Sequence, residues 1–157
     1  MKKNNISELQ NGNGFFTFQI EKNELEILRE TVNQHFFKII NSTYPDLKLK
    51  TRINEYHKIS KKVEHNKIWP MKSRVLSKEK YNIFLESKLA KKLAEIFGKF
   101  SISDENNMGH GELVWRLVRP NEKSDVGPIH CDKWFWDLNP DHKVPDSCER
   151  IKCWISL

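Results

Sequence analysis

The sequence predicts an α+β fold, mainly helical over residues 1–98 and strand-rich over 112–157. Before Gly98, apolar residues recur three and four positions apart, the period of a helix face. After Gly111 they alternate, the period of a half-buried strand. A chain of 157 residues is long enough to bury one core, so it reads as a single domain.

Taken in order, Ser7 to Gly14 is polar and rich in Asn and Gly, a loop or a frayed end. Phe15 to Ile20 alternates enough for a short strand. Leu25, Leu28, Val32, Phe36, Ile39 and Ile40 mark an amphipathic helix from about Lys22 to Ile40. His35 sits beside that stripe and reads as a packing or surface residue. Tyr44-Pro45-Asp46 is a turn, and Ile53 to Val63 suits another helix. His57 and His65, in this Lys-rich stretch, are expected to face solvent. Ser77 is a candidate N-cap for a helix holding Tyr81, Phe84 and Leu85. Ser87 can restart it for Leu89, Leu93, Ile96 and Phe97, and Gly98 suits the end. Pattern alone leaves open whether this is one helix or two.

Beyond the polar loop Ser101–Gly111, Glu112 to Val118 sets Leu113, Trp115 and Leu117 against Glu112, Val114 and Arg116, as a strand does. Ile129 to Leu138 is aromatic-rich and fits a second strand, and Ile151 to Leu157 a third. Between these two, Asn139 to Ser147 is turn-rich, with Pro140 and Pro145 discouraging regular pairing.

The net charge of +6 comes from 21 Lys against 6 Arg, spread along the chain and densest at Lys58, Lys61, Lys62 and Lys67. That is the pattern of a solvated basic face. A nucleic-acid binder more often shows Arg-rich stripes interleaved with aromatics, so no nucleic-acid partner is expected. No apolar run approaches the ~20 residues that span a bilayer. The start, Met-Lys-Lys-Asn-Asn, lacks the hydrophobic region of a signal peptide. The expectation is a cytoplasmic protein with no membrane partner. Cys131, Cys148 and Cys153 form no CxxC pair and are expected as reduced thiols.

The chemistry lies near the C-terminal end, in Trp115-Arg-Leu-Val-Arg-Pro120, Asp125-Val-Gly-Pro-Ile-His-Cys-Asp132 and Trp134-Phe-Trp136. On a strand, His130 and Asp132 project to one face while Cys131 points away. A neutral imidazole and a carboxylate side by side are two of the three ligands of a 2-His-1-carboxylate iron site. His110 and His142 lie in predicted loops, His110 being the better stand-in for the third ligand. The plain alternatives are that the tryptophans are core and edge residues of a β fold, and that Arg116 pairs with Glu112 on one strand face.

Gly14-Phe-Phe-Thr-Phe18 ahead of a helix, Val-Arg-Pro120, Gly-Pro-Ile-His-Cys-Asp132 and Lys-Cys-Trp-Ile155 together resemble the phytanoyl-CoA dioxygenase-like branch of the Fe(II)/2-oxoglutarate oxygenases. The resemblance runs over most of the chain and is specific from about Trp115 onward. It implies helices packed on a double-stranded β-helix of the jelly-roll or cupin type, here partial, with its C-terminal strands missing. It implies Fe(II) and 2-oxoglutarate as cofactors, His130 and Asp132 as metal ligands, and Trp154 and Arg116 at the cosubstrate. It also implies a distal His and an Arg on later strands, which these 157 residues do not supply.

The expected protein is therefore a fragment or shortened form of such a dioxygenase, acting on a small molecule of unreadable class. One alternative is a non-catalytic jelly-roll binding or interaction domain with a degenerate metal site. Another is a cupin-like metal enzyme that does not use 2-oxoglutarate. A C-terminal strand left without its neighbour would expose an apolar edge, so self-association through that β edge is expected.

Overall fold

A computed structural model describes residues 14–47, 52–130, 132–138 and 147–157, together with 9, 11, 12 and 144. Its helices are α1 (Lys22–Thr43), the single turn α2 (His65–Ile68), α3 (Lys78–Glu86), α4 (Lys88–Phe97) and α5 (Asp132–Leu138). Short 3₁₀ turns at Pro45–Leu47, Ile53–Lys58, Ser60–Lys62, Met71–Arg74 and Lys123–Asp125 fill much of the space between them. The chain forms two compact units, Met1–Trp115 and Arg116–Leu157.

In the first unit α1 buries Val32, Asn33, Phe36 and Ile40, the apolar ones four residues apart and therefore on one face. Pro45 has no N–H to continue the helix, and the Ser42 and Thr43 hydroxyls donate to the Ile39 carbonyl at its end. Buried Asn33 is satisfied: its side-chain oxygen accepts the Ile53 N–H at 3.0 Å and ties the Ile53–Lys58 turn to α1. Ser77 and Ser87 are both N-caps, accepting from the N–H groups of Lys80 and Ala90. Ser87 has an extended backbone (φ −68°, ψ 159°), so α3 and α4 are two helices. The Glu24 carboxylate accepts the Leu89 N–H at the start of α4, where the helix dipole favours an anion. Gly98, at φ +80°, ends α4 in a conformation that favours glycine.

The core of this unit is aromatic. Phe36 stacks on Trp69 with ring centroids 5.5 Å apart, and Tyr56 meets both edge-on. Trp115 packs on Trp69 at 5.1 Å. Edge-to-face and offset pairs of this kind each add about 0.5–1.5 kcal/mol beyond area burial. Two histidines end the cluster. The Trp69 indole N–H donates to the Tyr56 hydroxyl at 3.1 Å, and that hydroxyl lies 3.1 Å from His65 Nδ1. The Trp115 N–H donates to His35 Nδ1 at 3.0 Å. His65 is therefore not the solvent-facing residue expected of it, whereas His57 is exposed.

The structure overturns the strand-rich half of the predicted fold. Among the described residues there is no sheet and no part of a β-helix, only one antiparallel bridge between Val75 and Val114. Phe15–Ile20 has no regular pairing. Glu112–Val118 keeps the alternation, with Trp115 buried and Val114 and Arg116 exposed. Its ladder is limited to Leu76 N–H on the Leu113 carbonyl and Trp115 N–H on the Arg74 carbonyl. Ile53–Val63 forms 3₁₀ turns instead of an α-helix. The Ser7–Gly14 loop and the Asn139–Ser147 turn lie largely outside the described residues.

The second unit also departs from the expected strands. The expected strand Ile129–Leu138 contains helix α5, and Ile151–Leu157 carries no regular structure. Strand-prone residues form a sheet only when a partner strand satisfies their backbone groups. None does so among the described residues, and the Asp132–Leu138 segment forms helix α5, with Asp132 favourably placed in its first turn.

The most buried ion pair described in this unit joins Arg119 to Asp125. The Asp125 carboxylate, 1% exposed, accepts from Arg119 Nε at 2.8 Å, from Arg119 Nη2 at 2.6 Å and from the Arg119 N–H. Arg116 Nη2 donates to the Asp125 carbonyl at 2.9 Å.

Self-association through a β edge loses its basis, since no strand edge exists among the described residues. The apolar exposure itself is real: Ile129, Trp134, Leu138 and Trp154 are all more than half exposed.

Candidate functional site

His130 and Asp132 lie side by side, but not by the strand geometry that suggested them. His130 ends the loop after Pro128, and Asp132 is the first residue of α5. His130 Nδ1 lies 2.7 Å from the Pro128 carbonyl. A carbonyl only accepts, so Nδ1 is the donor in this contact, and the neutral imidazole with that tautomer presents its lone pair at Nε2. That Nε2 is 3.6 Å from Asp132 Oδ1. Both side chains are open to solvent, at 54% and 31% exposure.

The other carboxylate oxygen is occupied. Lys152 Nζ reaches Asp132 Oδ2 at 2.7 Å and lies 5.1 Å from the centroid of the Trp154 ring, a cation–π distance. The structure thus gathers His130, Asp132, Lys152 and Trp154. Arg116 is used elsewhere, on the Asp125 carbonyl, so the expected pairing with Glu112 is absent. Glu112 instead accepts from the backbone and side chain of Asn106.

A divalent ion suits the two donors. Ligand bonds of about 2.1 Å at right angles place their donor atoms about 3.0 Å apart, and 3.6 Å is a small adjustment from that. The Pro128 carbonyl on Nδ1 is the kind of outer partner that orients a ligating imidazole. Among the described residues, no third His, Cys, Asp or Glu joins them. His110 is no stand-in, because its two ring nitrogens lie against the Leu76 and Met108 carbonyls at 2.9 and 3.2 Å. His142 and Cys131 lie outside the described residues, while Cys148 and Cys153 are free and exposed thiols.

Two elements of this region escaped sequence reasoning. Lys152, ahead of Cys-Trp154, had no motif to mark it. The Arg119–Asp125 pair had a weak one, an Arg and an Asp flanking the polar turn Asn121–Ser124, which is where a short loop closes on itself. None of the known protein families, curated proteins or solved structures compared with this chain matches it. Among the described residues, no helix is long and apolar enough to cross a membrane.

Proposed function

We propose that His130 and Asp132 supply two of the protein ligands of an Fe(II) site, and that the chain belongs to a 2-oxoglutarate-dependent oxygenase of the phytanoyl-CoA dioxygenase-like type. One observation carries the metal reading: the Nε2 of His130 and the Oδ1 of Asp132 converge to 3.6 Å, with the imidazole oriented by the Pro128 carbonyl. The reaction class rests on the resemblance of Gly127-Pro-Ile-His-Cys-Asp132 and Lys152-Cys-Trp154 to that family.

Iron and 2-oxoglutarate, when bound, would supply oxidative decarboxylation coupled to hydroxylation of a substrate; the protein would supply position. His130 offers a neutral nitrogen and Asp132 a negative oxygen, a donor pair suited to a non-haem ferrous ion. By the resemblance, Trp154, which lies against Lys152, would line the cosubstrate pocket. Two fixed protein ligands hold a metal more weakly than three, so binding by this chain is weak.

Titration calorimetry with Co(II) or Mn(II) as surrogates tests the assignment. Wild type binds weakly, and His130→Ala and Asp132→Ala each lose most of that binding. Equal binding by all three proteins overturns the reading.

A second reading, a non-catalytic binding module with a degenerate metal site, is favoured by the Lys152 ammonium already seated on Asp132. It predicts no metal binding by wild type under the same conditions.

A further inference from the structure

Lys152 has no place in the metal chemistry, yet among the described residues it makes the closest side-chain contact with the pair. Its ammonium is 2.7 Å from Asp132 Oδ2, while Oδ1 faces His130. An ion seated between Oδ1 and Nε2 would share one carboxylate with this ammonium. Two cations a few ångströms apart repel, and exposure weakens that repulsion without removing it. Lys152 also has a second resting place. Its Nζ already lies 5.1 Å from the Trp154 ring, and its flexible stem can let go of the carboxylate without leaving the aromatic face.

We propose that Lys152 is a resident counter-ion for Asp132: it occupies the carboxylate when the site holds no metal, yields it to an incoming divalent cation, and is then held by Trp154. The inference rests on the metal reading above. Lys152 is a positioning residue, and it sets how tightly the His130–Asp132 pair takes metal.

The test uses the 157-residue chain as wild type, Lys152→Met, Lys152→Arg and His130→Ala, titrated with Mn(II) and followed by the spectrum of the free ion. Lys152→Met keeps the stem but loses the charge, and binds Mn(II) about threefold tighter or more, as expected for the loss of one partly exposed cation. Lys152→Arg keeps the charge and stays within about twofold of wild type. A second readout uses Zn(II), a closed-shell ion, and tryptophan emission. Wild type changes its emission on binding as the ammonium shifts against Trp154, whereas Lys152→Met and Trp154→Phe do not.

If Lys152→Met binds Mn(II) with wild-type affinity while His130→Ala does not bind, the counter-ion role is overturned and the metal site stands. If Lys152→Met and Lys152→Arg weaken binding alike, Lys152 is structural and the role is again overturned. If neither wild type nor Lys152→Met binds, both readings fall.

Discussion

Replacing Tyr56 by Phe removes one oxygen from the centre of the aromatic core and should cost the first unit about 2 kcal/mol. Tyr56 is 2% exposed and Trp69 5%, so water cannot replace what is lost. The Trp69 N–H is a donor with no other role, and its acceptor at 3.1 Å is the Tyr56 hydroxyl. Stranding a buried donor costs about 1–3 kcal/mol. The lost contact with His65, nearer the surface, adds about 0.5 kcal/mol.

Trp69→Phe is also destabilising, through lost volume and a changed stack on Phe36. In the double variant, however, no indole N–H remains to be stranded. The two effects should therefore fall short of additivity by about 1–2 kcal/mol. Urea unfolding followed by far-ultraviolet circular dichroism measures this. With a slope of about 2 kcal/mol per molar urea, Tyr56→Phe lowers the midpoint by about 1 M. A shift below about 0.2 M, or a cycle that closes additively, would refute the argument that this hydroxyl satisfies a buried donor.

His35 supplies a pH prediction. Burial first, and the Lys38 ammonium second, hold its imidazole below the unfolded value of 6.5. The unfolded chain therefore takes up the proton more readily than the folded one. The stabilisation is complete above pH 6.5 and is lost as pH falls from there through the folded value. Since His35 is only half-buried, the loss should be about 0.5–1 kcal/mol. His35→Gln keeps an acceptor for the Trp115 N–H but cannot titrate, so its unfolding free energy should fall less than that of wild type between about pH 7.5 and pH 5. Identical pH dependence in the two proteins would contradict this.

Asp125→Ala leaves the Arg119 guanidinium without its bidentate partner and should loosen the 116–130 loop by about 1–3 kcal/mol. Hydrogen exchange there should accelerate by about ten- to a hundredfold, and unchanged rates would show that the pair does not organise the unit.

What could be read from the sequence alone was what depends on near neighbours. The period of Val32, Phe36 and Ile40 marked α1, Ser77 and Ser87 marked two caps, and Gly98 marked an end, because helix bonds and caps join residues three or four apart. His130 and Asp132 were found together for the same reason: two residues apart, they stay close whether the segment is a strand or, as here, the entry to α5.

The tertiary structure decided everything that depends on distant partners. Alternation at Glu112–Val118 and aromatic richness around Trp134 state only that a strand would be comfortable. Whether one forms depends on a second strand to take its backbone bonds, and among the described residues one bridge at Val75–Val114 is all that was met. His35 reaches Trp115 across 80 positions, and Lys152 reaches Asp132 between two segments that no local pattern connects. These contacts are made by folding, and composition and periodicity carry no record of them.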